Sequence, residues 1–303
     1  MHDLVLANGR IVDPASGVDR VADLAIDAGR VAALGEGLPG RERVDCTGLV
    51  VCPGFVDLHV HLRDPGQEWK EDLISGGRAA AAGGFTTICC MPNTDPTLDT
   101  GAVVRDVVER AAAAAVRIRP VGAITRGLAG ERLAEIGEMV AAGAVAISDD
   151  GRGVQDGRLM RRALEYARPL GIPVAIHAQD DPLFGDGVMN EGWRATELGL
   201  AGIPAAAEET QIDRDIRLCR LTGTPLHVAH ISTAGGVELV ARAQAAGLPV
   251  SAEATPHHLL LTDEQMPAYD TNWKMSPPLR SPADREAVVA ALAAGTIAAI
   301  ATD

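Results

Sequence analysis

The chain has 303 residues, with 27 Lys and Arg against 41 Asp and Glu, a formal net charge of −14. So acidic a surface argues against a nucleic-acid binder, which needs clustered cations along the phosphates, and against a basic helix lying on anionic lipid; any anionic ligand must be met by a local cation. Aromatics are only 3% while glycines number 33, a composition that suits close helix-on-strand packing better than a disulfide scaffold or a disordered tail.

The chain opens with MHDLVLANGR, without the cationic and apolar regions of a leader peptide, and no stretch reaches the roughly 18 apolar residues of a membrane span. Cys89 and Cys90 are adjacent while Cys46, Cys52 and Cys219 are scattered, so no Cys-x-x-Cys pair or regular disulfide spacing exists. The expectation is a soluble, unprocessed protein in a reducing, cytoplasmic setting. Residues 1–52 carry short alternating runs, Leu4–Leu6, Ala22–Ile26 and Arg30–Leu34, between turn signals such as Asn8-Gly9 and Asp27-Ala28-Gly29, and predict a small β domain. Gly35-Glu36-Gly37-Leu38-Pro39-Gly40 has the Gly-x-Gly-x-x-Gly spacing of a dinucleotide loop, but RERVDCTGLVVCPG follows it rather than a helix, so it reads as an ordinary loop.

From residue 53 to 303 the pattern changes. Eight apolar runs, Phe55–Val60, Thr86–Met91, Ile118–Ile124, Ala144–Ser148, Val174–His177, Leu226–Ile231, Val250–Ala254 and Ile297–Ala301, alternate with Ala-rich segments long enough for helices, among them Leu73–Ala82, Ala102–Ala115 and Thr210–Leu221. That alternation predicts βα units, and its span is close to the ~250 residues of an α/β barrel of the TIM type, (β/α)8, with a doubly wound sheet as the alternative.

The densest chemical signal is FVDLHVHLRDPG, residues 55–66. In a strand, residues two apart share a face. Asp57, His59, His61 and Arg63 then point one way, and Val56, Leu58, Val60 and Leu62 the other, toward the helices. Four more runs end in metal-ligand types: Asp149-Asp150, His177, His230 and Asp303. Alternation favours Asp150 over Asp149 and puts His177 inside, but on the sixth run it favours His227 over His230 and leaves that choice open. Imidazoles and carboxylates on a barrel rim suit zinc or a similar divalent ion, one or two per chain, in an open site able to lower the pKa of a bound water toward about 7. Hydrolysis is the natural use.

FVDLHVHLRDPG, EDLISGGRAAAAGGFTTICCMPNTDP, SDDG, HAQD, HVAHIS, TPHHLLLTDE and KMSPPLR together resemble the bacterial dihydroorotases of the amidohydrolase superfamily, over essentially the whole chain. The resemblance implies reversible ring closure of N-carbamoyl-L-aspartate to L-dihydroorotate in pyrimidine biosynthesis, and zinc held by His59, His61, Asp150, His177, His230 and Asp303. It selects His230 on the sixth strand, gives Asp303 the proton-transfer role, and matches Arg63 and Asn93 to contacts with the substrate carboxylate. Where the family often has KMNPPLR, this chain has Ser276, so a substrate contact from that position is shorter. The nearest rivals are dihydropyrimidinase, hydantoinase and allantoinase, relatives that usually bridge their metals with a carboxylated lysine at the end of strand four; the only lysines here, Lys70 and Lys274, lie elsewhere in the sequence. A rival of another class is a catalytically silent homologue serving as structural partner of aspartate carbamoyltransferase, which would be expected to have lost ligands. The family also leaves room for a homodimer and for association with that transferase. His257 and His258 are expected to pack or support rather than ligate, and Asp149, Asp180 and Asp181 to be solvated or supporting carboxylates. Because the family continues past the aspartate matching Asp303 with a loop, a helix and further strands of the small β domain, the sequence is expected to be a fragment, with an uncovered strand face.

Overall fold

A computed structural model describes residues 1–303, which form two compact units, Met1–Phe55 and Val56–Asp303. The first is a five-stranded sheet of β1 (His2–Asp13), β2 (Val18–Asp27), β3 (Arg30–Gly35), β4 (Gly40–Asp45) and β5 (Val50–Val51). The first three strands form an antiparallel meander, and β4 and β5 run parallel to β1. Ala28 and Gly29, with φ of 49° and 74°, make the two-residue turn whose twist matches the strands it joins. The Gly35–Gly40 segment spans the end of β3 and the start of β4 with no helix, so its glycines belong to a plain loop. Val5, Ala7 and Ala25 form the small core of this unit.

The second unit alternates strand and helix in the order β6 (Phe55–Val60), α1 (Leu73–Ala82), β7 (Phe85–Cys90), α2 (Gly101–Ala111), β8 (Arg117–Gly122), α3 (Ile136–Ala142), β9 (Ala146–Ser148), α4 (Gly157–Leu170) and β10 (Val174–Ile176). An arm of α5 (Asp181–Phe184), β11 (Met189–Asn190), α6 (Trp193–Leu198) and β12 (Gly202–Ile203) then precedes α7 (Ala205–Thr222), β13 (Leu226–Val228), α8 (Ala234–Ala245), β14 (Val250–Ala254), α9 (Pro256–Leu260), α10 (Pro282–Ala293) and β15 (Ala299–Ile300). Eight strands pair in the order β6-β7-β8-β9-β10-β13-β14-β15, with parallel registers from β7 onward. The ring is nearly closed by Asp303 N–H, which donates to the carbonyl of His59 at 2.9 Å. This is the TIM-type barrel that the alternation predicts.

Helix ends follow local chemistry. Asp72 and Ser75 form a reciprocal capping box at the start of α1, while Gly143, Gly171 and Gly223 end α3, α4 and α7 in the left-handed conformation that glycine adopts without a Cβ clash. The main core lies between strands and helices, with Ile88, Ile147, Met160, Leu164, Ile212 and Leu226 fully buried. No helix is long and apolar enough to cross a membrane, and all five cysteines are free thiols.

Two expectations need correction. The apolar side of β6 meets the helical layer only in part. Val60 and Leu62 pack into the core, whereas Val56 and Leu58, nearer the start of the strand, are 51% and 37% exposed. Several strands also stop earlier than their apolar runs suggest: β10 ends before His177, β13 before His230, and β15 before Asp303. Those side chains stand on the turns just beyond the strands.

Candidate metal centre

Those turns place the polar side chains at one mouth of the barrel. His59, fully buried near the end of β6, directs Nε2 to within 3.3 Å of Asp150 Oδ1 and 3.4 Å of Asp303 Oδ1. His61 Nε2 lies 3.3 Å from Asp150 Oδ2 and 3.0 Å from Asp303 Oδ1. Across the mouth, His177 Nδ1 and His230 Nε2 are 2.9 Å apart, and each faces Asp150 Oδ1, at 3.7 and 3.5 Å. Ligand atoms therefore gather in three overlapping sets, each within 4.8 Å: His59, His61 and Asp150; His59, His230 and Asp303; Asp150, His177 and His230. His230 belongs to the cluster because the chain leaves β13 at Val228 and turns, with His230 at a φ of 33°, which breaks the alternation. His227 keeps the strand's parity and goes elsewhere, with Nδ1 2.8 Å from Ser251 Oγ and Nε2 3.1 Å from Glu253.

The electrostatics of the cluster call for a cation. Burial alone would raise the Asp150 carboxyl, yet the charge of His59 and contacts with His177 and His230 hold it well below the usual range. Asp303 is likewise held low against its burial, chiefly by His61. Burial opposes charge on His59, but Asp150 and Glu253 push its protonation well above the ordinary imidazole value. Asp150 Oδ1, which faces three of the imidazoles, is buried without a hydrogen-bond partner. Unpaired buried acceptors are costly, and a divalent ion among them would satisfy the lone pairs that protons now compete for, so the residues present fit such an ion.

The cluster forms the floor of a cavity of about 540 Å³ walled by Arg63, Lys70, Asn93, His257 and Ser276. Arg63 has a φ of 57°, beyond the end of β6, so strand parity does not place it. The loop does: the next residue, Asp64, is buried and gripped by Arg110 of α2 at 2.7 Å through both carboxylate oxygens. Gly66, at a φ of 96°, lies so close to Asp95 that a Cβ would sit 1.8 Å from its carbonyl oxygen, which draws the Arg63 and Asn93 loops together. Asn93 uses both ends of its amide on the cluster, Oδ1 at 2.9 Å from His61 Nδ1 and Nδ2 donating to Asp150 at 3.2 Å. Ser276 is exposed, its Oγ 3.5 Å from Gln179 Oε1.

Other candidates separate from the cluster. Asp149 is not solvated; it is buried and accepts from the Ile124 and Thr125 amides at 2.8 and 2.9 Å and from the Thr125 hydroxyl, with burial pushing its carboxyl up to about 6. Asp180 caps α5 by accepting from the Leu183 amide, and His258 packs with Nε2 3.1 Å from the carbonyl oxygen of Pro277. Two groups escaped the sequence: Glu253, 2.9 Å behind His59, and Arg280, whose guanidinium is buried and donates to Ser232 Oγ, Asn190 Oδ1 and the Ile203 carbonyl. Alternation along β14, with Val250, Ala252 and Ala254 on one side, puts Glu253 on the other and was the available signal.

Residues 48–235 match the family model described as dihydro-orotase-like. Dihydroorotases of Anaeromyxobacter dehalogenans, Solibacter usitatus and Citrifermentans bemidjiense are 56%, 54% and 51% identical to it, each over 99% of this chain and 71%, 70% and 72% of their own lengths. The chain belongs to the dihydroorotase family. Among solved structures, an L-hydantoinase from Arthrobacter aurescens superposes with a TM-score of 0.85 at 25% identity, covering 100% of this chain and 69% of the other, and a D-hydantoinase follows at 0.82 and 25%. The neighbours thus share the amidohydrolase barrel, while the far higher sequence identity lies with dihydroorotases. At the end of β9, this dihydroorotase-family chain carries Asp150; Lys70 borders the cavity from another loop, with Nζ donating to Gln67 at 2.8 Å.

Proposed function

We propose that this chain is a cyclic amidohydrolase that interconverts L-dihydroorotate and N-carbamoyl-L-aspartate, with zinc, one or two ions, held by His59, His61, Asp150, His177, His230 and Asp303. The observation that carries the reading is the convergence of four imidazoles and two carboxylates from five strand ends under a cavity whose wall offers the guanidinium of Arg63. When bound, a divalent ion supplies Lewis acidity for the ring carbonyl and a nucleophile at neutral pH. Asp303 holds its carboxylate ionised beside His61. It accepts the proton of the attacking water and delivers it to the ring nitrogen as the C–N bond breaks; the reverse steps close the ring. Arg63 grips the substrate carboxylate with its planar fork, the local cation that an acidic surface requires. Asn93 steadies His61 and Asp150 while facing the same space, and Ser276 supplies a short hydroxyl at the rim.

The reading extends to residues 1–52 as part of a small β domain and 53–303 as a catalytic barrel, to a cytoplasmic setting, to a small-molecule rather than nucleic-acid or membrane partner, and to a homodimer or an association with aspartate carbamoyltransferase that light scattering with and without that enzyme would register. Supplying the zinc-loaded chain with dihydroorotate, dihydrouracil and hydantoin separates the activities. Turnover of dihydroorotate alone supports the proposal, and turnover of the carboxylate-free rings alone moves the assignment to the hydantoinase side.

A further inference from the structure

Glu253 stands in β14 with 1% of its surface exposed, and no step of the proposed reaction uses it. A carboxylate is costly to bury unless its charge is answered, and two imidazoles answer this one. Oε1 lies within hydrogen-bond reach of His59 Nδ1 at 2.9 Å, and Oε2 lies 3.1 Å from His227 Nε2, close but without hydrogen-bond geometry. With Oε1 placed to accept from Nδ1, it is Nε2 that faces Asp150 and Asp303, and an ion bound among those groups would take the Nε2 lone pair while the ring proton stays on Nδ1.

The other imidazoles of the cluster have no such backing. His61 Nδ1 meets the amide oxygen of Asn93 at 2.9 Å, and His177 Nε2 meets that of Gln179 at 3.2 Å. His230 Nδ1 has no hydrogen-bond partner. One ring of the four is therefore backed by a carboxylate, and that ring, like His230, belongs to two of the three ligand sets. His227, which strand parity offered as a ligand, flanks the far oxygen of the same carboxylate.

We propose that Glu253 is a positioning residue that fixes the Nδ1–H tautomer of His59 and strengthens Nε2 as a ligand, so that His59 anchors the metal ion; the inference rests on the metal reading of the cluster. Supporting carboxylates of this kind typically change metal affinity by about 10–100-fold. Glu253→Gln keeps the shape and an acceptor oxygen but removes the charge. Competition titration with a chromogenic chelator is expected to show zinc held about 10–100-fold more weakly, and the visible spectrum of the cobalt-loaded chain is expected to change. Activity should return at saturating metal with KM for dihydroorotate unchanged. Glu253→Asp, which keeps the charge on a shorter stem, should fall between the parent and the Gln variant. In the zinc-loaded parent labelled with 15N-histidine, His59 should show a protected Nδ1–H. A Gln variant that binds zinc as tightly as the parent with an unchanged cobalt spectrum overturns the proposal, as does an Nε2–H signal from His59, a measurement that needs no variant to fold. A parent that binds neither metal overturns the metal reading itself, a distinguishable result.

Discussion

Replacing Arg63 by Met tests whether this cavity is built for a carboxylate-bearing ring. The side chain is half-buried on the cavity wall, and its backbone is fixed by the Asp64–Arg110 pair rather than by its own head group, so the loop should survive the substitution. Each charge-assisted hydrogen bond contributes about 1.5–3 kcal/mol, and partial exposure favours the low end. A two-bond fork then amounts to roughly 3 kcal/mol, or on the order of a hundredfold in affinity. The expected outcome is a KM for dihydroorotate raised on that order, with zinc content per chain unchanged because Arg63 is outside all three ligand sets. Arg63→Lys, which keeps the charge but loses the fork, should recover only part of the loss. Steady-state kinetics with metal analysis on the same samples measures both quantities. Wild-type KM in the Met variant would refute the carboxylate role and reopen the carboxylate-free ring substrates.

Asp150→Ala removes the carboxylate that touches four imidazoles and should leave the second ion loosely bound or absent, read by elemental analysis after dialysis. Activity should be independent of bicarbonate, with no carboxylation of Lys70 or Lys274 by intact mass; a carboxylated lysine between two ions would contradict Asp150 as the bridge. Asp149→Ala strands two buried amides and a hydroxyl and should cost about 3 kcal/mol or more in urea unfolding, at about 1–3 kcal/mol per orphaned group. His258 is held neutral by burial and the nearby His257, with its protonation lowered to about 3. Below about pH 6.5 the unfolded chain takes up a proton that the folded chain refuses, so stability falls as pH drops from there toward 3, by up to about 1.4 kcal/mol per unit. His258→Gln should flatten that slope relative to the parent, and equal slopes would reassign the acid sensitivity.

The barrel was legible because burial imposes different periods on strand and helix. The bounds of β6, α1 and β14 coincide with the runs read from the sequence. What the sequence blurred lies at the strand ends. His177 and His230 extend apolar runs in the sequence but stand on turns in the structure, where the site rather than the sheet decides their direction. Parity carries information only while a strand lasts, which is why it favoured His227. Glu253 is 194 residues from His59, so no local pattern announces their contact. The Asp64–Arg110 pair, 46 residues apart, is hidden for the same reason.

Arg280 sets a limit on motion at the cavity rim. Its guanidinium joins three segments at once, the β11 arm through Asn190, the end of β12 through Ile203, and the turn after β13 through Ser232. Ser276 lies only four residues before it, on an exposed stretch. Rim motion that leaves these bonds intact is therefore confined to the stretch up to Ser276, because Pro277 to Arg280 are buried and the Pro277 carbonyl is held by His258. Any wider opening breaks several buried hydrogen bonds together and belongs to the slow class of sub-global unfolding. Hydrogen exchange would register this as a sharp step: fast amides up to Ser276, and protected ones in the segments that converge on Arg280.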